Sequence, residues 1–140
     1  MVKFDDIKVG DEIPADIRRT INQDMIDKFG EVSVDFNPLH VDPEFAKTTP
    51  FGTTISHGSL TITFIMQMMA EWLGDGFLRE GQMIGMKFIA PVKSGDTVSP
   101  HGKVVDKRVE GDKKLIECDV WLENQDGTQT IVGKAIGQAA

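Results

Sequence analysis

"SLTITFIMQMMAEWLG", residues 59 to 74, is the stretch that decides the fold. From Leu60 to Trp72 only Thr61, Thr63, Gln67 and Glu71 are polar. Thr and Ile would suit a strand at its start, but Met, Ala, Glu and Trp carry the run too far for one. The pattern predicts a helix with Gly74 as its stop. A helix that is apolar almost all round must be enclosed by the fold. It is also shorter than the ~18 apolar residues that a membrane span requires. The helix is therefore expected to be the core of the domain, wrapped by something else.

The wrapping material follows it. "GQMIGMKFIAPV", "DTVSPHGKVVDKRVE", "KKLIECDVWLEN" and "TQTIVGKAIGQA" read as strands, separated by "KSGD", "EGDK" and "NQDGT", which carry turn chemistry. In the third strand Ile116, Cys118, Val120 and Leu122 share one face, and Leu115, Glu117, Asp119 and Trp121 the other. That alternation suits an antiparallel sheet with one covered face. Helices first and a meander afterwards indicate an α+β class rather than a βαβ one. A long antiparallel sheet around one buried helix is the hot-dog architecture. Its edge strands and second face call for cover, and a homodimer is the expected remedy.

The chain has 140 residues, enough for one domain spanning residues 1–140. Its formal charge of −7 argues against a nucleic-acid surface, which needs clustered Lys and Arg. The opening "MVKFDDIKVGDEI" lacks the apolar core of a signal peptide, so a cytoplasmic location is expected. The single cysteine, Cys118, excludes an intrachain disulfide and any multi-cysteine metal site, and its strand context predicts a buried position.

Upstream of the buried helix, "IRRTI" is a short strand candidate, and Asn22 is placed to cap a helix through "QDMIDKFGEVS". "PEFAKTT" suggests a short helix with Pro43 at its first position. Between them lies "VDFNPLHVDPEF", residues 34 to 45. Asn-Pro is a turn signal, and the residue before a proline is pushed out of the α region, so Asp35 and His40 are not expected to share a helix face. An acid and an imidazole on either side of a stiff bend can grip one water from two sides, which serves acid–base catalysis near neutral pH. The plainer reading is an Asx-turn at Asp35 with His40 packed against the fold.

"SHGS", residues 56 to 59, opens the buried helix. A helix start carries free N–H groups and about half a positive charge. Gly58 lets a substrate approach the backbone closely, and its N–H, with Ser59 beside it, can bind an oxygen that becomes negative during reaction. The plainer reading is a capped helix start with Ser56 or Ser59 as the cap. A metal site from His40, His57 and Asp42 has no recognised ligand spacing, so no metal is expected. His101 reads as a surface residue. Met66, Met68 and Met69 read as core, part of which is able to line an adaptable acyl tunnel.

"FGEVSVDFNPLHVDPEFA" resembles the signature of the R-specific enoyl-CoA hydratases, a MaoC-like hot-dog family. Phe29, Ser33, Asp35, Asn37, Pro38, Leu39, His40 and Ala46 fill its places. The resemblance continues through "TTPFGTTISHGSL" and "FIAPVKSGDTV" and covers most of the chain. One position departs: Val34 stands where the family usually places Gly. A β-branched residue does not easily take positive φ, so the backbone there is expected to be extended or slightly shifted.

The resemblance implies reversible addition of water to a trans-2-enoyl thioester, giving the (R)-3-hydroxyacyl thioester. Asp35 and His40 would hold the water, with base and acid unassigned between them, and Gly58 with Ser59 would bind the thioester oxygen. Met66, in the region where the family runs its acyl chain, would shorten the pocket. Lys87 is a candidate for a coenzyme A phosphate. No cofactor is implied, since coenzyme A enters only as part of an acyl-CoA substrate, and the acidic balance favours it over a carrier-protein thioester. The alternatives are a hot-dog thioesterase and a non-catalytic acyl-CoA-binding or accessory dehydratase subunit, the last motivated by Val34.

Overall fold

The structure is a computed structural model describing residues 2–140. Asn22 caps α1 (Gln23–Ser33) by accepting the Met25 N–H at 2.9 Å. Two single turns follow, α2 (Pro38–Val41) and α3 (Pro43–Ala46), each with proline at its start and a side-chain cap. Asn37 accepts from the Leu39 N–H, and Asp42 from those of Glu44 and Phe45. The sequence reading has a bend where α2 stands and nothing at α5 (Asp75–Leu78). One-turn helices are too short to show a period and are held by caps and neighbours rather than propensity.

The long helix α4 runs Gly58–Leu73 and stops at Gly74. β1 (Arg19–Thr20), β2 (Gln82–Phe88), β3 (Thr97–Glu110), β4 (Lys113–Glu123) and β5 (Gln129–Gln138) form one antiparallel sheet in the order β1-β3-β4-β5-β2. α4 packs on β3, β4 and β5. Ile65, Met68, Met69 and Leu73 are fully buried against an inner row that includes Ile116, Cys118, Val120 and Leu122. Burying one such side chain contributes about 2 kcal/mol before entropy is counted. A Cβ on Gly137 of β5 would stand 2.6 Å from Leu73 Cδ1, so its absence lets helix and sheet approach closely. This is the hot-dog fold, with the helix enclosed as its apolar pattern requires.

A β-bulge between Ile84 and Lys87, with Gly85 at φ 61°, resets the alternation of β2. Beyond it Phe88 pairs with Ile131, which pairs with Leu122, in the inner row. Lys87 pairs with Val132, which pairs with Trp121, in the outer row. The bulge thus turns the Phe88 ring toward α4 and Lys87 away from it.

Burial pushes the Cys118 thiol up from its ordinary value of 9.0 to about 12, with the charges of Asp119 and Glu117 adding to the effect. The unfolded chain ionises this thiol near pH 9 while the folded chain keeps it protonated, so stability is whole below pH 9 and falls as pH rises toward 12. Urea titrations are expected to show lower stability at pH 10.5 than at pH 8, a loss that is smaller in the Cys118→Ala variant.

Candidate active site

α1 ends by a turn that delivers Asp35 to the site. Val34 takes the left-handed conformation at the helix end (φ 58°, ψ 30°), and both its N–H and that of Asp35 return to the Gly30 carbonyl. The extended backbone expected at Val34 is therefore corrected. The terminating turn imposes positive φ although the side chain is β-branched and 76% exposed. An L-residue there bears about 1–2 kcal/mol of strain. Val34→Gly is expected to raise the unfolding free energy by about 1 kcal/mol, after the greater entropy of an unfolded glycine is deducted, without lowering turnover. Chemical denaturation of the two proteins measures it.

Asp35 is exposed, and its Oδ1 accepts the Asn37 N–H at 3.2 Å, the Asx-turn of the plainer reading. Its second carboxylate oxygen is not engaged in that turn. His40, half-buried on α2, is anchored through Nδ1, which lies 2.8 Å from the Ile55 carbonyl oxygen. A carbonyl only accepts, so Nδ1 carries a proton, and in the neutral ring Nε2 is the nitrogen with the lone pair. From the other side Gln23 donates to the His40 carbonyl at 2.8 Å and accepts from the buried Thr54 hydroxyl. Asp35, His40 and His57 each bring one ligand-type atom within 4.8 Å of the others. The two histidine rings stack at 4.0 Å with 28° between planes, which directs their nitrogens along separate, nearly parallel planes. That geometry suits hydrogen-bonding rings better than two ligands of one ion.

No side chain caps α4. Ser59 is exposed, and the Ser56 hydroxyl turns to the His57 carbonyl at 3.1 Å, so neither serine serves as the expected cap. The Leu60 N–H turns back to the His57 carbonyl at 3.1 Å, whereas the amides of Gly58 and Ser59, the first two of α4, have no intrahelical partner. They open on a cleft of about 740 Å³ lined by His40, Gly58 and Ser59 and by apolar side chains including Phe51, Ile62, Phe88 and Ile131. A Cβ on Gly58 would lie 2.5 Å from the Phe88 ring, so glycine keeps the gap between helix start and ring open.

The structure brings together four of the six expected site residues. Asp35, His40, Gly58 and Ser59 converge on the helix start. Met66 and Lys87 do not join them. Met66 is 45% exposed on the outside of α4 and does not line the cleft, while Ile62, one turn earlier, does. Lys87 lines a separate groove on the outer face of the sheet with Trp121 and Lys134, where the β2 bulge puts it. The Ile55 carbonyl and the Gln23–Thr54 pair were not picked out from the sequence, and His57 was weighed there only as a metal ligand with His40 and Asp42, besides its place in "SHGS".

With an imidazole and an uncapped helix start lining one apolar cleft, and an acid beside that imidazole, the hot-dog fold acquires a definite kin. The chain belongs to the MaoC like domain family, which matches residues 6–125. It is 41% identical over 97 residues to an (R)-specific enoyl-CoA hydratase of Rhodospirillum rubrum, covering 69% of this chain and 65% of that protein, just under two thirds of its length. It is 35% identical over 109 residues to an (R)-specific enoyl-CoA hydratase of Aeromonas caviae, covering 77% and 78% of the two. The solved (R)-hydratase from A. caviae superposes with a TM-score of 0.78 at 27% identity, over 96% of this chain and 98% of that one. An unliganded R-hydratase from Pseudomonas aeruginosa gives 0.80 at 30% identity, over 98% and 84%.

Proposed function

We propose that this chain is a hydro-lyase that adds water reversibly to trans-2-enoyl-CoA, giving (R)-3-hydroxyacyl-CoA. The observation that carries the reading is the convergence of Asp35 and His40 beside the uncapped start of α4, at a cleft of about 740 Å³. Such a volume suits a small ligand with an apolar body. Relatives that are themselves hydratases support the choice of reaction.

Asp35 and His40 hold the water. As its oxygen bonds the β-carbon, one proton passes to the pair and the alkene electrons shift toward the thioester oxygen. The pair then returns one proton to the α-carbon and ends in the state in which it began. His40 enters as an acceptor, because its Nδ1–H is engaged with Ile55. The Gly58 amide faces the developing negative charge, a placement worth about 3 kcal/mol in comparable sites. The thioester itself activates the alkene, so the scheme calls for no cofactor or metal. Val34 no longer motivates a non-catalytic reading, since its backbone takes the positive φ that glycine would.

The test follows the ultraviolet absorbance of enoyl-CoA substrates of increasing length, with product chirality read by a stereospecific dehydrogenase. An (R) product supports the assignment. Thiol release without hydration would point to the thioesterase, and binding without turnover to the accessory subunit.

A homodimer belongs to the same proposal. β2 is an edge strand, and Ile84, Phe88 and Ile89 on or beside it are half-exposed. An open edge with apolar side chains invites strand pairing. Light scattering is expected to give twice the mass of the chain, and Ile84→Lys to lower it. A monomer at micromolar concentration would sink this part.

A further inference from the structure

We propose that His57 is the positioning residue of this site: one buried ring that ties the Asp35 backbone and the His40 imidazole to the start of α4, and with them the Gly58 amide. The inference rests on reading Asp35 and His40 as the water-holding pair.

The ring is 2% exposed and lies between two others. His40 stacks on it at 4.0 Å, and Phe29 of α1 packs against it at 5.0 Å with 59° between planes. Its Nε2 is 3.0 Å from the Asp35 carbonyl oxygen, so Nε2 is the protonated nitrogen and donates. Gly30 makes room for that bond, since a Cβ there would come within 3.1 Å of the same oxygen. His57 is also the residue before Gly58, joined to it by the peptide whose N–H faces the cleft. Three elements of the proposed chemistry therefore meet on one side chain.

The segment that carries His57 also holds His40. The Ile55 carbonyl takes the His40 Nδ1–H, and two residues later the His57 ring covers the His40 face. The segment is itself fixed, because the Ser56 N–H donates to the Val92 carbonyl at 2.7 Å and that of Ile55 to Leu39 at 3.3 Å. His40 can neither swing about its last torsion nor exchange tautomers without breaking one of these contacts.

A packing role alone does not account for the residue. The side chain gives α4 no cap. With Nε2–H on Asp35, the buried Nδ1 has no hydrogen-bond partner among the described residues. An unpaired polar atom in a core is unfavourable and is retained where the site needs it. A phenyl ring would fill the same space without that cost, but it would not hold Asp35.

The test is steady-state kinetics of the full chain on a trans-2-enoyl-CoA, with Asp35→Asn as the reference loss. His57→Phe keeps the stack and removes the N–H. It is expected to lower kcat by about 10- to 100-fold with little change in KM, as misplaced catalytic groups do. His57→Gln, whose amide reaches about as far as Nε2, is expected to recover several-fold over Phe, and the shorter His57→Asn is not. Nitrogen-15 spectra of the wild type should show opposite tautomers, Nε2–H at His57 and Nδ1–H at His40, the latter kept in His57→Phe because the Ile55 carbonyl still accepts it. Full activity of His57→Phe beside an inactive Asp35→Asn overturns the positioning role alone. A wild type inactive on every enoyl thioester removes the reading beneath it. Should His57→Phe fail to fold, equal kcat for the Gln and Asn variants overturns the proposal.

Discussion

Asp35→Asn is expected to lower kcat for enoyl-CoA hydration by at least about 100-fold while leaving the melting temperature unchanged. The substitution is nearly isosteric. Its amide oxygen still accepts the Asn37 N–H, so the turn between α1 and α2 survives. Asp35 is exposed, and no helix or strand depends on its charge. What disappears is a group able to take a proton from water. His40→Gln is the companion. It retains a donor for the Ile55 carbonyl but loses the Nε2 lone pair, and a loss of similar size is expected. Because the two groups serve one water, the double variant should be scarcely slower than either single one. Wild-type rates in Asp35→Asn, or additive losses in the double variant, would remove the pair from the mechanism.

Ile65→Ala is expected to destabilise the fold by about 3 kcal/mol, within the 2–5 kcal/mol usual for such truncations. Ile65 is wholly buried midway along α4, among the side chains packed on the sheet. Truncation removes apolar burial and leaves a cavity that helix and sheet, held by five paired strands, close only in part. Glu71→Ala on the same helix breaks one exposed hydrogen bond, from Gln67 at 2.8 Å, and should change stability by less than about 0.5 kcal/mol. Denaturant unfolding of the two variants measures the contrast. Equal effects would mean that α4 is not the enclosed core.

Much of this architecture was legible in the residues. The apolar run from Leu60 to Trp72 announced an enclosed helix because a nearly all-apolar surface has no stable place in water. The alternation through Ile116, Cys118, Val120 and Leu122 announced the covered face of the sheet because strand side chains point alternately to opposite sides. Asn22 and Pro43 marked helix starts through local backbone chemistry, and both stand where expected. The signature around Asp35 and His40 marked the candidate site. Lys87 and Met66 stand away from the cleft because their surroundings are set over distance. One bulged register turned Lys87 outward, and the facing of α4 on the sheet left Met66 at the surface.

His57 marks the same divide more sharply. Its sequence neighbours suggest only a helix start, whereas its ring contacts come from residues 17 to 28 positions away in the chain. Hydrophobic period, turn chemistry and a short polar signature are local, so the sequence by itself determined the helix, the strands, the fold class and the acid–imidazole pair. Strand register and the choice of His40 tautomer depend on partners brought together only when the sheet closes around α4. Those the tertiary structure decided, because no stretch of this chain contains both sides of the contacts that set them.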